Sequence, residues 1–274
     1  MKYINLLIAI EAALKAGEEI LSIYNDPASD FEIERKADHS PLTIADRRAH
    51  ETIVDLLSYT PFPILSEEGK HLEYAVRKHW KELWIVDPLD GTKEFIKRND
   101  EFTVNIALVR NSIPILGVIY LPVKRELYFA DEFLGAYKIS DITRLESSTT
   151  VKALVEQADK LPLNQVPDHF VIVASRSHLT QQTEAYIDAM RLQHGEVELM
   201  SCGSSIKICR VAEGIAQVYP RFAPTMEWDT AAGHAIAREA GMEIYQTDGE
   251  TPLRYNKEDL LNPWFIVERK KTVN

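Results

Sequence analysis

The chain has 274 residues, 45% of them hydrophobic, and its 42 acidic residues against 31 Lys and Arg give a net charge of −11. A chain of this length buries roughly three quarters of its unfolded surface and needs no disulfide or oligomeric support, and its composition excludes a disordered or collagen-like polymer. The acidic balance argues against nucleic acid as a partner, because phosphate backbones select a basic face, but it accommodates a small anionic substrate if metal cations or a few basic residues offset the field.

The first helix is predicted over Tyr3–Tyr24, with Leu6, Ile10, Leu14, Gly17 and Leu21 as its apolar stripe. Glu11 and Lys15 interrupt it, and the apolar run is too short for a membrane span. No basic segment precedes it, so no signal peptide is read and the mature chain is expected to start near Met1 and stay in the cytoplasm. A second helix follows Ser40-Pro41, with Ala45, Ala49, Ile53 and Leu56 on one face, closed by Pro61 and Pro63. Ile64-Leu65 is a short buried strand running into Ser66-Glu67-Glu68-Gly69. Leu83–Val86 is a second, expected to stop at Asp87-Pro88.

Thr103–Val109 and Pro114–Tyr120 form a hairpin, and Glu126–Ala130 and Ala136–Ile139 are shorter strands around Gly135. Strands in succession imply an antiparallel sheet in the first half. Asp141–Asp168 is weakly patterned and is read as the boundary between an α+β half (residues 1–145) and an α/β half (residues 146–274). In the second half we expect a strand at Phe170–Ala174, a helix at Gln181–Leu192 and a strand at Val197–Met200. A helix at Ser204–Ala212 closed by Gly214, a strand at Gln217–Tyr219 and a helix at Thr230–Ala240 closed by Gly241 follow. A cleft between the halves is the natural ligand site. Cys202 and Cys209 have the spacing of neither a zinc knuckle nor a disulfide framework and are read as reduced interior thiols.

The strongest local signal is Trp84-Ile85-Val86-Asp87-Pro88-Leu89-Asp90-Gly91-Thr92. An apolar strand delivers two carboxylates into a Pro/Gly turn, where like charges repel unless a cation joins them. The Gly91 and Thr92 amides follow at a helix start suited to a phosphate oxygen. Taken singly, Asp90 or Asp229 is explained as a helix cap, Asp46 as a first-turn dipole partner and Glu67 as solvated loop. Taken together, Glu67, Asp87, Asp90 and Asp229 make the oxygen-rich set of a two- or three-Mg²⁺ phosphoryl site.

Glu67-Glu68, Asp87-Pro88-Leu89-Asp90-Gly91-Thr92 and Trp228-Asp229-Thr230-Ala231-Ala232-Gly233 resemble the signature motifs of the inositol monophosphatase superfamily. The resemblance implies a layered αβαβα sandwich of the α+β class, with the active site between two halves, and a lithium-sensitive, Mg²⁺-dependent phosphomonoesterase. Lys36–Pro41, Lys93–Arg98, Ser175–His178 and Tyr219–Phe222 resemble the 3'(2'),5'-bisphosphate nucleotidases of the CysQ type within it. That branch implies release of phosphate from adenosine 3'(2'),5'-bisphosphate to leave AMP. An inositol monophosphatase or fructose-1,6-bisphosphatase of the same fold is the alternative, and a non-catalytic binding module a remote one.

Carried over by position, the resemblance implies two or three Mg²⁺ held by Glu67, Asp87, Asp90, Asp229 and the Leu89 carbonyl. Asp46 with the Thr92 hydroxyl would orient and deprotonate the attacking water, and the Gly91 and Thr92 amides would hold the scissile phosphate. His178, Ser204, Lys207 and Arg221 would contact the second phosphate and the nucleoside. The partner expected is thus a small nucleotide bisphosphate. The expected location is cytoplasmic, with at most peripheral association with the inner membrane, and no pattern assigns an oligomeric state.

Overall fold

The structure is a computed structural model that describes residues 3–27, 33–35, 41–70, 72–163, 167–175 and 180–271. Helix α1 (Ile4–Tyr24) leads through strands β1 (Glu34–Arg35) and β2 (Pro41–Leu42) to α2 (Ile44–Leu57). Strand β3 (Ile64–Ser66), helix α3 (Tyr74–Arg77), β4 (Glu82–Asp90) and α4 (Thr92–Ile96) carry the motif-rich part of the chain. Then come β5 (Thr103–Arg110), β6 (Ile113–Leu121), β7 (Glu126–Asp131), β8 (Gly135–Ile139), α5 (Val151–Glu156) and β9 (Asp159–Lys160). The remainder is β10 (Phe170–Ser175), α6 (Gln181–His194), β11 (Val197–Cys202), α7 (Ile206–Glu213), β12 (Val218–Arg221), α8 (Glu227–Glu239), β13 (Met242–Gln246) and β14 (Phe265–Arg269).

A seven-stranded sheet runs β3-β4-β5-β6-β7-β8-β9 in sequence order, parallel at β3–β4 and antiparallel elsewhere. A five-stranded sheet runs β11-β10-β12-β14-β13, parallel across β11, β10 and β12 and antiparallel through β14 and β13. Strand alternation assigns side chains to layers. In β4, Trp84 and Val86 join Leu6, Ile10, Ala13 and Ile53 under α1 and α2, while Leu83 and Ile85 face the opposite way. There they share one core with Ile208 and Val211 of α7, Ala232 and Ile236 of α8, and Val171, Val173 and Val267 of the second sheet. Ile172 and Val218 on the far face of that sheet pack against Ile187 of α6. The layering is therefore α/β/α/β/α, with α7 and α8 between the sheets. Each fully buried Leu, Ile or Val side chain contributes about 1.5–3 kcal/mol.

Small residues set how closely α8 sits. A Cβ on Gly117 of β6 would lie 2.3 Å from the Ala232 carbonyl oxygen, and one on Gly233 would lie 2.8 Å from Ile208 Cδ1. The Ala-Ala-Gly run after Asp229 is thus a packing requirement of the sandwich.

Three expectations differ from the observed elements. Strand β4 does not stop at Asp87-Pro88 but continues to Asp90, because the irregularity falls between Asp87 and Asp90 in its pairing with β5. Helix α8 starts at Glu227, three residues before the expected Thr230. The weakly patterned stretch Asp141–Asp168 holds α5 and β9, and β9 extends the seven-stranded sheet by pairing with β8. Strands β13 and β14 were not anticipated. No helix among the described residues is long and apolar enough to cross a membrane.

Candidate active site

The β4 bulge is what aims the two motif aspartates. Residues three apart in a regular strand point to opposite faces. Here Asp87 pairs with Asn105 and Asp90 with Thr103, so three steps on β4 match two on β5. The extra residue reverses the phase, a known use of bulges beside active sites. Asp87 and Asp90 therefore both face α8, whose first turn carries Asp229. Ligand oxygens of these three residues lie within 4.8 Å of one another. Glu67, in the turn after β3, donates its amide to the Val86 carbonyl at 3.1 Å, which registers that turn against β4.

Crowding of carboxylates has an electrostatic signature. Burial, reinforced by the Glu67, Asp90 and Asp229 carboxylates, raises the Asp87 pKa well above the usual carboxylate range. Burial, then the charges of Asp90 and Glu67, push Asp229 up to about 8. Four acids held this close resist ionising together unless positive charge joins them. The donors are hard oxygens, the set that Mg²⁺ and similar cations take. The site is built to fit such an ion.

Asp90 and Asp229 are also held by the protein. Asp90 Oδ2 accepts from Ser205 Oγ at 2.6 Å and from Asn105 Nδ2 at 3.4 Å, and Asn105 Nδ2 also donates to Ser205 Oγ at 2.8 Å. Asp229 is the third residue of α8 rather than the residue before it, and its Oδ2 accepts the Met226 amide at 2.8 Å. Its capping duty and its place in the cluster coexist on one carboxylate. Asp90, which alone reads as a cap, caps nothing; Gly91, at φ +96°, precedes α4. That left-handed backbone favours glycine.

Asp46 is 1% exposed and sits in the first turn of α2. Its Oδ2 accepts from the Thr43 amide at 2.7 Å and the Thr43 hydroxyl at 2.6 Å, a reciprocal cap that fixes the side chain. Its Oδ1 is thereby turned to the Thr92 hydroxyl, which donates at 3.0 Å. Thr92 Oγ1 also lies 3.4 Å from the Leu89 carbonyl oxygen. The pairing expected of Asp46 and Thr92 is present.

Beside the acids lies a cavity of about 160 Å³ whose lining includes Asp90, Gly91, Ser204, Lys207, Arg221 and Asp229. Lys207 is only 6% exposed, and its ammonium reaches the Ser204 carbonyl at 2.5 Å and the Cys202 carbonyl at 3.4 Å. Burial lowers its pKa, opposed by the Asp90 charge. Ser204 adopts φ +42°, and its buried hydroxyl has no hydrogen-bond partner. Arg221, the last residue of β12, donates through Nη2 to the Pro224 carbonyl at 3.1 Å and leaves Nε buried and unpartnered. Orphaned donors at a cavity suit an anionic ligand. Of the Lys93–Arg98 run, Lys93 lines the cavity, whereas Arg98 turns away to the Tyr24 carbonyl and ring. Lys97 is the residue after α4, so the five-residue helix carries no extended basic face. His178 and most of the Lys36–Pro41 and Ser175–His178 segments lie outside the described residues.

Sequence reasoning missed Thr43, Asn105, Ser205, Thr225 and Phe265, and gave Tyr219 no role beyond its place in the Tyr219–Phe222 segment. Asn105 left a signal, a lone polar residue inside the apolar run Thr103–Arg110. The others sit in segments whose only notable feature is ordinary turn chemistry or a core aromatic.

A profile of the inositol monophosphatase family matches residues 5–272. A protein of Salmonella typhimurium named 3'(2'),5'-bisphosphate nucleotidase CysQ is 45% identical over 259 residues, 94% of this chain and 96% of its own. The protein of the same name from Escherichia coli K12 is 45% identical over 260 residues, with the same coverage. The crystal structure of CysQ from Bacteroides thetaiotaomicron, described as a bacterial member of the inositol monophosphatase family, superposes with a TM-score of 0.92 at 68% identity and covers 98% of each chain. With a profile match over nearly the whole length and an acid cluster at the strand end where the motifs predicted one, the chain belongs to the inositol monophosphatase family.

Proposed function

We propose that this chain is a Mg²⁺-dependent 3'(2'),5'-bisphosphate nucleotidase, hydrolysing adenosine 3'(2'),5'-bisphosphate to AMP and phosphate. The observation that carries the reading is the pairing of two unlike walls. An acid cluster with raised pKa values faces a cavity lined by a buried Lys207 and the partly unpartnered Arg221. A single phosphate needs only the first wall; a second, non-reacting phosphate gives the other its purpose. The names and identities of the CysQ relatives support the same substrate class.

Glu67, Asp87, Asp90, Asp229 and the Leu89 carbonyl would hold two or three Mg²⁺. Bound there, the ions neutralise the phosphate and lower the pKa of the attacking water. The Gly91 and Thr92 amides hold oxygens of the scissile phosphate at the start of α4. Thr92 Oγ1 takes the proton of the water while its own lies toward Asp46 Oδ1, so Asp46 is the final base. The new P–O bond forms as the ribose P–O bond breaks; the departing ribose oxygen takes a proton from solvent water, and the proton gathered on Asp46 returns to solvent, so that one water is consumed overall. Ser204, Lys207 and Arg221, with His178, contact the second phosphate and the nucleoside.

The deciding test compares adenosine 3',5'-bisphosphate with inositol 1-phosphate and fructose 1,6-bisphosphate, each in Mg²⁺ and in excess chelator. A clear kcat/KM preference for the nucleotide, lost in chelator, is expected. Equal rates on inositol 1-phosphate would overturn the nucleotidase assignment, and turnover in chelator would overturn the metal site.

A further inference from the structure

The clustered acids come from three separate segments, and only two of these share a sheet. The β3–β4 register ties the Glu67 turn to Asp87 and Asp90. Asp229 arrives on a helix, whose body is seated by its packing on β6 and α7 and whose first turn is bonded by Ser205 Oγ at the Asp229 carbonyl. A buried charge cluster that does not line the cavity ties that turn to α3, the helix that lies between β3 and β4 in the chain. Glu227, the first residue of α8, is 0% exposed, and its carboxylate accepts from the Asn256 amide at 2.5 Å, the Lys257 amide at 3.0 Å and Lys257 Nζ at 2.6 Å. Arg77, the last residue of α3 and 3% exposed, grips the same short loop from the other side. It donates to Asn256 Oδ1 at 3.1 Å, to the Glu258 carbonyl at 2.7 Å and to the Lys257 carbonyl. Asn256 Nδ2 returns a bond to the Arg77 carbonyl at 2.8 Å.

We propose that Arg77 and Glu227 are positioning residues which, acting through Asn256–Glu258, fix the first turn of α8 against α3 and so set the position of Asp229 in the metal site. The inference rests on the metal-site reading given above. Two buried opposite charges would stabilise the fold more simply by pairing with each other. Instead Glu227 pairs with Lys257, and both Glu227 and Arg77 bond the backbone of the loop that carries it. Asn256, at φ +62°, is the pivot between them. The next residues continue the strap: Glu227 N–H donates to the Leu260 carbonyl at 3.0 Å, and Asn262 Nδ2 donates to the Met226 carbonyl at 2.7 Å. Glu227 and Asp229 lie on one helical turn, so a shift at the first moves the second. Arg is required because its fork reaches several oxygens at once, which an ammonium does not. Loss of a group that orients a metal ligand typically costs about 10–100-fold in metal affinity or activity.

The test is a calorimetric Mg²⁺ titration of the chelator-stripped chain, paired with its melting temperature and with the Mg²⁺ dependence of kcat. Glu227→Gln and Arg77→Lys should each weaken Mg²⁺ binding by about 10–100-fold. Both should move the kcat curve to higher Mg²⁺ and leave KM at saturating Mg²⁺ nearly unchanged. Lower melting temperatures with superimposable Mg²⁺ isotherms would reduce the cluster to a structural role and overturn the proposal. Should either variant fail to fold, Asn256→Gly tolerates the same backbone, keeps the amide bond to Glu227 and cuts the side-chain link to Arg77. It should weaken Mg²⁺ binding several-fold, and an unchanged isotherm overturns the proposal equally. A wild-type chain that takes up no Mg²⁺ would fail the metal-site reading itself, a result distinct from matching isotherms.

Discussion

The two walls of the cleft are built by different means. On the acid wall the aspartates are locked by local structure: Asp46 by the α2 cap, Asp87 by the Leu89 amide, Asp90 by Ser205 and Asn105, Asp229 by the Met226 amide. Its repulsion is stored in a rigid frame that a cation can relieve. On the basic wall Lys207 is held by two main-chain carbonyls and the Tyr219 ring, and Ser204 and Arg221 keep unpartnered polar atoms. A preorganised wall suits chemistry, because donors and acceptors already stand where charge develops. A wall with unspent donors suits recognition, because its hydrogen bonds are completed by the ligand. Substitutions on the first should therefore affect turnover, and those on the second should affect the choice of substrate.

The largest expected effect is at Asp90. Asp90→Asn keeps an acceptor for Ser205 but gives the ions a neutral, weaker ligand, so kcat should fall by about 10³-fold or more, several kcal/mol of transition-state stabilisation. In chelator the same variant should melt higher than wild type, since one member of a repelling cluster is gone. Near wild-type turnover would return Asp90 to a structural part. Thr92→Val comes next. It removes the hydroxyl between Asp46 and the attacking water while preserving shape, so kcat and kcat/KM should fall together by about 10²–10⁴-fold. A rise in KM at constant kcat would place Thr92 on the recognition side.

The same division explains what was legible in the sequence. The acid wall is read from short motifs because its residues are neighbours in the chain or sit at strand ends. Only their aim was hidden. Pro88 read as a strand terminator, since proline removes a ladder donor, yet the chain places it within the irregular stretch of β4 and carries the strand on to Asp90. The start of α8 was misplaced because Met226 offers no side-chain cap and Asp229 mimics one. The amphipathic helices α1 and α2 and the β5–β6 hairpin followed from periodicity alone. Strands β13 and β14 did not, for they are short and separated by the irregular residues 247–264, and the pairing of β14 to β12 is non-local. The basic wall was legible only through the resemblance. Lys207 on a helix and Arg221 after a strand look like surface charges until the second sheet buries one and turns the other to the cavity.

A smaller effect, confined to one substrate, is expected at Arg221. Arg221→Ala should weaken adenosine 3',5'-bisphosphate by about 1.5–3 kcal/mol, the range for a hydrogen bond to a charged group. Adenosine 3'-monophosphate should be almost unaffected. Steady-state kinetics of both proteins on both substrates make the comparison. Equal losses on the two would show that Arg221 does not read the second phosphate and would blur the line between the walls.

The smallest effect sharpens the account of the acid wall without any turnover. Burial and the neighbouring charges of Asp90 and Glu67 raise Asp229 from the ordinary carboxylate range to about 8 in the metal-free protein. The folded state then holds a proton more tightly than the unfolded one, so the Asp229 contribution to stability is complete below the ordinary carboxylate pKa. It is lost as pH rises through about 8. Asp87 is raised in the same direction and adds to the slope. Glu213 and Glu243, whose pKa values are lowered by their basic partners, act oppositely, and their stabilisation is lost toward acid. Melting curves of wild type alone therefore mix the two trends. The difference from Asp229→Asn in chelator removes the common part, because the amide still accepts from Met226 but cannot ionise. The variant should match wild type near about pH 4 and melt progressively higher toward pH 9. Mg²⁺ should then raise the wild-type melting temperature more at high pH than at low pH, since protons and cations compete for the same oxygens. Parallel melting profiles for the two proteins would mean that Asp229 ionises normally, and the repulsion assigned to this wall would have to reside in Asp87 alone.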